Sequence, residues 1–147
     1  MVEMTFHAEL MFLPMLTVVA LTVVAFVRLA YMRVRTIRSR AMPLTYYVAF
    51  QGGTEPEPVT VAARHYANLF EAPVVFYAAC LSAIALQAAT PAIYYAAWAY
   101  ALCRIAQSAI HLTYNNVRHR AYAFFVGWIA LATLWALIAA LVLAKIS

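Results

Sequence analysis

Charge is what this sequence has least of. Only 10% of its 147 residues are Asp, Glu, Lys or Arg, against about 25% in a soluble domain, so a water-exposed globular fold is excluded. Cysteine is nearly absent as well. Cys80 and Cys103 both fall in apolar stretches, with no CxxC, no zinc spacing and no disulfide framework. They read as small buried hydrophobes, and no metal site is expected. No nucleic-acid motif is present, and the net charge of +5 comes mostly from arginines flanking apolar segments, so no nucleic-acid partner is expected. Glycine occurs three times. What the chain has is apolar surface, 67% of its residues. That composition, over a length suited to one domain, predicts a single all-α integral membrane domain over residues 1–147.

Four helices are the economical count: about residues 10–34, 60–86, 92–114 and 121–144, a four-transmembrane-helix bundle. Leu10 to Val27 is eighteen residues without a charge. The basic cluster follows this run instead of preceding it, and no small-residue cleavage site is evident, so it reads as a retained helix and not a signal peptide. Ala121 to Ala144, twenty-four residues without a charge, is the clearest span. A short link, Gln87 to Pro91, joins the second and third helices and makes them expected antiparallel neighbours. The first link, about Arg35 to Val59, is long and holds the turn-forming Q-G-G-T-E-P-E-P.

The arginines set an orientation. The first loop and its flanks carry Arg28, Arg33, Arg35, Arg38, Arg40 and Arg64, and the third loop carries Arg118 and Arg120. The opposite side has Glu3, Glu9 and only Lys145. The positive-inside rule puts both termini outside and loops one and three in the cytoplasm, in an inner (cytoplasmic) membrane.

The second helix is the informative one. Its apolar run, Ala72 to Leu86, has fifteen residues and covers roughly 22 Å of a hydrocarbon core about 30 Å thick. To span, it must draw in Arg64, Asn68 and Glu71, which share one helix face at i, i+4 and i+7. Pro73 removes a backbone hydrogen bond and predicts a kink beside that face. The third helix carries Arg104, Gln107 and His111 on one face, with Arg104 near mid-span. Ionisable groups there are costly, so both faces are expected to point inward, with Glu71 able to pair with Arg104 or Arg64. A buried ion pair can simply hold a bundle together. Asn68, Gln107, His111 and Tyr114 gather at the same end beside Arg118 and Arg120, and so many donors suggest a pocket for a small polar anion from the cytoplasm. His7 and His65 read as interfacial. Arg33, Arg35, Arg38 and Arg40 read mostly as lipid-headgroup anchors. Tyr46, Tyr47, Tyr94, Tyr95, Trp98, Tyr100, Trp128 and Trp135 read as interfacial belt and lipid-facing bulk.

The motif R-x-x-x-N-x-x-E-x-P over Arg64 to Pro73, after an arginine-rich end of the first helix, resembles the MAPEG family, membrane-associated proteins in eicosanoid and glutathione metabolism. The segment R-I-A-Q-S-A-I-H-L-T-Y-N-N-V-R-H-R, Arg104 to Arg120, is similar to the family's third helix, and the resemblance runs over about residues 10 to 145. It implies a bacterial-type member: a homotrimer binding glutathione between subunits near the cytoplasmic face. Arg64, Asn68 and Glu71 match glutathione-contacting residues of the family, and Arg104 matches a third-helix arginine. Gln107 stands where some members have histidine. His111 stands where many have a tyrosine that contacts the tripeptide, a phenol that Tyr114 could replace. Arg118 or Arg120 matches the arginine that stabilises the thiolate, and Arg28 and Arg35 are candidates for the contributing arginine of helix one.

The resemblance therefore implies a membrane-bound glutathione-dependent transferase or peroxidase, with glutathione as thiol co-substrate and a lipophilic electrophile arriving from the bilayer. Arginines suit the two carboxylates, Glu71 suits the ammonium, and a guanidinium near the thiol supplies thiolate. The alternative is a non-catalytic lipid- or partner-binding scaffold of the same fold. A transporter using Glu71 as a proton-coupled carboxylate needs none of the arginine companions. A haem- or quinone-binding subunit is disfavoured, because His111 is the only histidine expected deep in a helix.

Overall fold

The computed structural model describes residues 7–146, so Glu3, used above for orientation, lies outside the described residues. A short 3-10 turn, Ala8–Met11, leads into α1 (Phe12–Arg38). The long first link contains α2 (Tyr46–Ala49), and α3 (Glu57–Asn68), α4 (Ala72–Ala85), α5 (Pro91–Leu112) and α6 (Val117–Ile146) follow. The second expected helix is thus two helices. Its start moves forward to Glu57, where an acidic residue and Pro58 suit a helix N-terminus.

The other ends follow from local chemistry. The Thr90 hydroxyl accepts from the Ile93 N–H at 3.4 Å, and Pro91 opens α5. Asn116 Oδ1 accepts from the N–H groups of Arg118 and His119 at 3.0 and 3.2 Å, capping α6. Helices α1 and α4 close alike: Arg40 and Gln87 take positive φ of 59° and 50°, and the N–H of the next residue, Ala41 or Ala88, returns to a carbonyl five residues earlier. At the end of α5 Asn115 takes positive φ of 45° and its own N–H returns to the Ile110 carbonyl. Glycine is the usual residue for such a closure.

The rods run alternately up and down. Lys145 Nζ donates to the carbonyls of Leu86 and Gln87 at 3.1 and 3.0 Å, which sets the end of α6 beside the end of α4. Met11, Ala83, Ile93 and Ile138 share one apolar core at that same end. Helices α5 and α6 are the most closely packed pair. Gly127 permits this, since a Cβ there would lie 3.4 Å from Cys103 Cβ. Tyr100, expected in the interfacial belt or facing lipid, is instead core, 1% exposed and stacked on Phe76 with centroids 4.5 Å apart.

Among the described residues three helical stretches are long and apolar enough to cross a membrane: Ala8–Arg38, Glu57–Ala85 and Val117–Ile146. Helix α5 is not among them. Its inward face begins apolar, with Ile93, Ala97, Tyr100 and Ala101, and continues as Arg104, Gln107, Ser108 and His111. The register does not change where the chemistry does, so α5 carries a polar core layer at the end where the first and third loops lie.

Candidate functional site

The polar layer begins where the second span breaks. Pro73 has no N–H to give the Leu69 carbonyl. The chain between α3 and α4 tightens instead, with Leu69 N donating to Tyr66 O at 3.1 Å and Phe70 N to Ala67 O at 2.9 Å. The carbonyl of Asn68 is thereby released from the helical ladder, and Arg104 Nη2 donates to it at 2.7 Å. A guanidinium at a helix C-terminus also meets the negative end of the helix dipole. Arg104 Nη1 donates to Gln107 Oε1 at 2.6 Å, and both side chains are buried. The expected ion pair is absent. Among the described residues, Glu71 lies within salt-bridge reach of neither Arg104 nor Arg64. The break explains this, because it removes Glu71 from the helix face of Arg64 and Asn68.

A turn further along, His65 and His111 stack, with centroids 4.7 Å apart and planes 24° from parallel. His65 is 3% exposed, which corrects its expected place at the interface. The reason is a partner 43 residues away, since His65 Nε2 and Ser108 Oγ are 2.9 Å apart. His111 Nε2 lies 3.1 Å from Arg120 Nη1. Arginine can only donate, so Nε2 accepts and His111 is neutral in this arrangement. The same Arg120 nitrogen donates to Asn115 Oδ1 at 2.9 Å. Both Nη1 protons are then used, and the N–H groups on Nη2 and Nε have no protein partner among the described residues.

Asn68, Glu71, Gln107 and Arg120 come together around one open pocket of about 260 Å³, completed by Val117, Ala121 and Phe124. Other candidates lie outside it. Arg64 is exposed on α3, and Arg118 is exposed at the start of α6. Tyr114 is 60% exposed and turned to His119, with its hydroxyl 3.1 Å from Nδ1. Arg35 is exposed on α1. Arg28 is half-buried on α1. Arg104 and His111 stand behind the pocket, holding the residues that line it.

Sequence reasoning missed His65, Ser108 and Asn115. Ser108 follows Gln107 on the inward face and precedes His111 by three, so helical spacing could have found it. His65 carried no such signal. Among the described residues no group of three or more His, Cys, Asp or Glu is placed to hold a metal ion.

The chemistry of the pocket is an unpaired carboxylate, two amides and a guanidinium with free donors. That set fits a ligand carrying an ammonium, amide groups and an anion. The model of the MAPEG family matches residues 10–140. No curated protein and no solved structure matches the chain.

Proposed function

The chain belongs to the MAPEG family, and from that footing we propose that it is a membrane-bound glutathione-dependent transferase or peroxidase acting on lipophilic electrophiles. The family includes such enzymes and non-catalytic members. The observation that carries the catalytic reading is Arg120, tethered through one nitrogen to His111 and Asn115 with its other donors free at the pocket.

In this reading Glu71 accepts from the glutathione ammonium, and Asn68 and Gln107 bond its amides. Arg120 faces the sulfur. A free thiol has a pKa of about 8.5, and a guanidinium beside it favours thiolate at neutral pH. The thiol proton leaves to water. The thiolate attacks the electrophilic carbon, the S–C bond forms, and the leaving group departs with its bonding pair. With a hydroperoxide, sulfur attacks the terminal oxygen and the O–O bond breaks, releasing an alcohol. A second glutathione then gives the disulfide and water.

The pocket is smaller than the roughly 300–1,000 Å³ of a site enclosing a drug-sized ligand, and it is open. One subunit therefore supplies part of the enclosure, which fits a homotrimer with glutathione between subunits. The exposed Arg64 of a neighbouring copy would meet the remaining carboxylate. The orientation with loops one and three in the cytoplasm opens the pocket to that side.

The test is conjugation of glutathione to chlorodinitrobenzene by the purified protein, with thiolate followed by its ultraviolet absorbance. Wild type turns over, and Arg120→Gln loses roughly a hundredfold in rate along with the thiolate signal. Turnover lost in Arg118→Gln instead would pass the role to Arg118. No turnover and no thermal shift with glutathione would sink the enzyme reading in favour of the scaffold.

A further inference from the structure

The four arginines at the end of α1 are not equivalent. Arg33 is engaged, with its Nε donating to Glu55 Oε1 at 3.0 Å and its guanidinium 5.4 and 5.5 Å from the ring centroids of Tyr47 and Phe50. Arg40 sits in the turn past the helix end. Arg35 and Arg38 are exposed and have no hydrogen-bond or ion-pair partner among the described residues. They fall with Val24, Arg28 and Tyr31 on one face of α1, at i, i+4, i+7, i+11 and i+14.

Three hollows follow this face. The first, about 470 Å³, runs along Val23, Val24 and Val27 to Arg28 and Tyr31 and is almost wholly apolar. The second, about 240 Å³, lies between Tyr31, Val34, Arg35 and Arg38. The third, about 230 Å³, reaches from Tyr31 and Arg35 to Pro56 and Pro58 beside α3. Tyr31 borders all three, so they lie in a row along this face of α1. From Val24 to Arg38 it is about 21 Å long at ~1.5 Å per residue. One leaflet with its headgroups is about 20–22 Å deep, half of a bilayer of roughly 40–45 Å.

We propose that this face binds one anionic phospholipid from the leaflet on the side of the first loop. Its acyl chain lies along Val23, Val24 and Val27, and its phosphate lies against Arg35 and Arg38. The row of hollows is apolar over the length where a leaflet is hydrocarbon and cationic where the headgroups begin. A second copy of the chain answers these arginines poorly. Of the four glutamates among the described residues, Glu55 is held by Arg33, Glu71 lines the pocket described above and Glu9 is at the far end of α1, which leaves Glu57, exposed at the start of α3, as one carboxylate against two guanidiniums. None of its residues lines that pocket in one subunit, although Arg28 and Arg35 are also the helix-one arginines that the family resemblance offers for glutathione, and lipid retention is read without catalysis.

The experiment is native mass spectrometry of the protein released from nanodiscs of mixed phosphatidylglycerol and phosphatidylcholine. Wild type keeps phosphatidylglycerol preferentially. Its affinity falls about fivefold for each arginine removed in Arg35→Gln and Arg38→Gln, while Arg40→Gln matches wild type. Val27→Trp, which fills the apolar hollow, releases the lipid with both arginines intact. Circular dichroism establishes that each variant is folded. Equal retention of the two lipids, or an Arg40→Gln loss equal to the others, would overturn the proposal. So would a photoreactive residue at Tyr31 that crosslinks to a second copy instead of to lipid.

Discussion

His111 shows how one residue can hold a site without lining it. It is buried, stacked on His65 and bonded to Arg120. Removing the acceptor frees Arg120 on one side, and a hydrogen bond to a charged group is worth about 1.5–3 kcal/mol. His111→Phe should therefore lower kcat by about tenfold or more and raise the pH at which thiolate forms, with a smaller change in KM. His111→Gln, whose amide oxygen can accept from Nη1, should restore most of the loss. Equal damage by both variants would show that His111 only packs. Asn68, Glu71 and Gln107 were readable in the sequence as polar side chains at helical spacing on the second and third expected helices, whereas spacing did not choose Arg120 over Arg118. Arg104 was readable as a residue but not in its contact, since its partner is a backbone carbonyl that exists only once the helix has broken. His65 was unreadable for a similar reason, as its burial depends on Ser108 of another helix.

At the scale of elements, the break between α3 and α4 decides the site. A continuous helix would keep the Asn68 carbonyl in its own ladder and Glu71 on the face of Arg64. Pro73 lies in the first turn of α4, where a proline is tolerated, so Pro73→Ala restores an N–H without the gain expected in a helix interior. The variant should bind glutathione more weakly if the helix becomes continuous, since Glu71 would rotate from the pocket. Calorimetric titration reads this effect. Unchanged affinity would mean that the break does not shape the pocket. Pro73 announced a kink in the sequence. A full interruption was not readable, because it depends on Arg104 arriving from α5 to compensate the freed carbonyl.

At the scale of the whole molecule, the arrangement of rods follows the apolar pattern closely at α1 and α6, where nothing polar competes. The exposed arginines also carry the proposed orientation. A cysteine at Ser39, in a background without Cys80 and Cys103, should react with an impermeant maleimide from the cytoplasmic side only. Labelling from the opposite side would invert the topology. Helix α5 has a further consequence, for the order of assembly. It is not among the helices long and apolar enough to cross a membrane, and a central arginine adds about 2.5–3.5 kcal/mol to its insertion. Its turn into α6 is short, and α6 is its closest packing partner. Biogenesis should therefore deliver α5 and α6 to the bilayer as one hairpin, with the later helix carrying the earlier. In a translocon assay α5 alone should stay largely uninserted, and α5 followed by α6 should enter. Efficient entry of α5 by itself would refute this order, and with it the idea that the helix after α5 seats the one that completes the site.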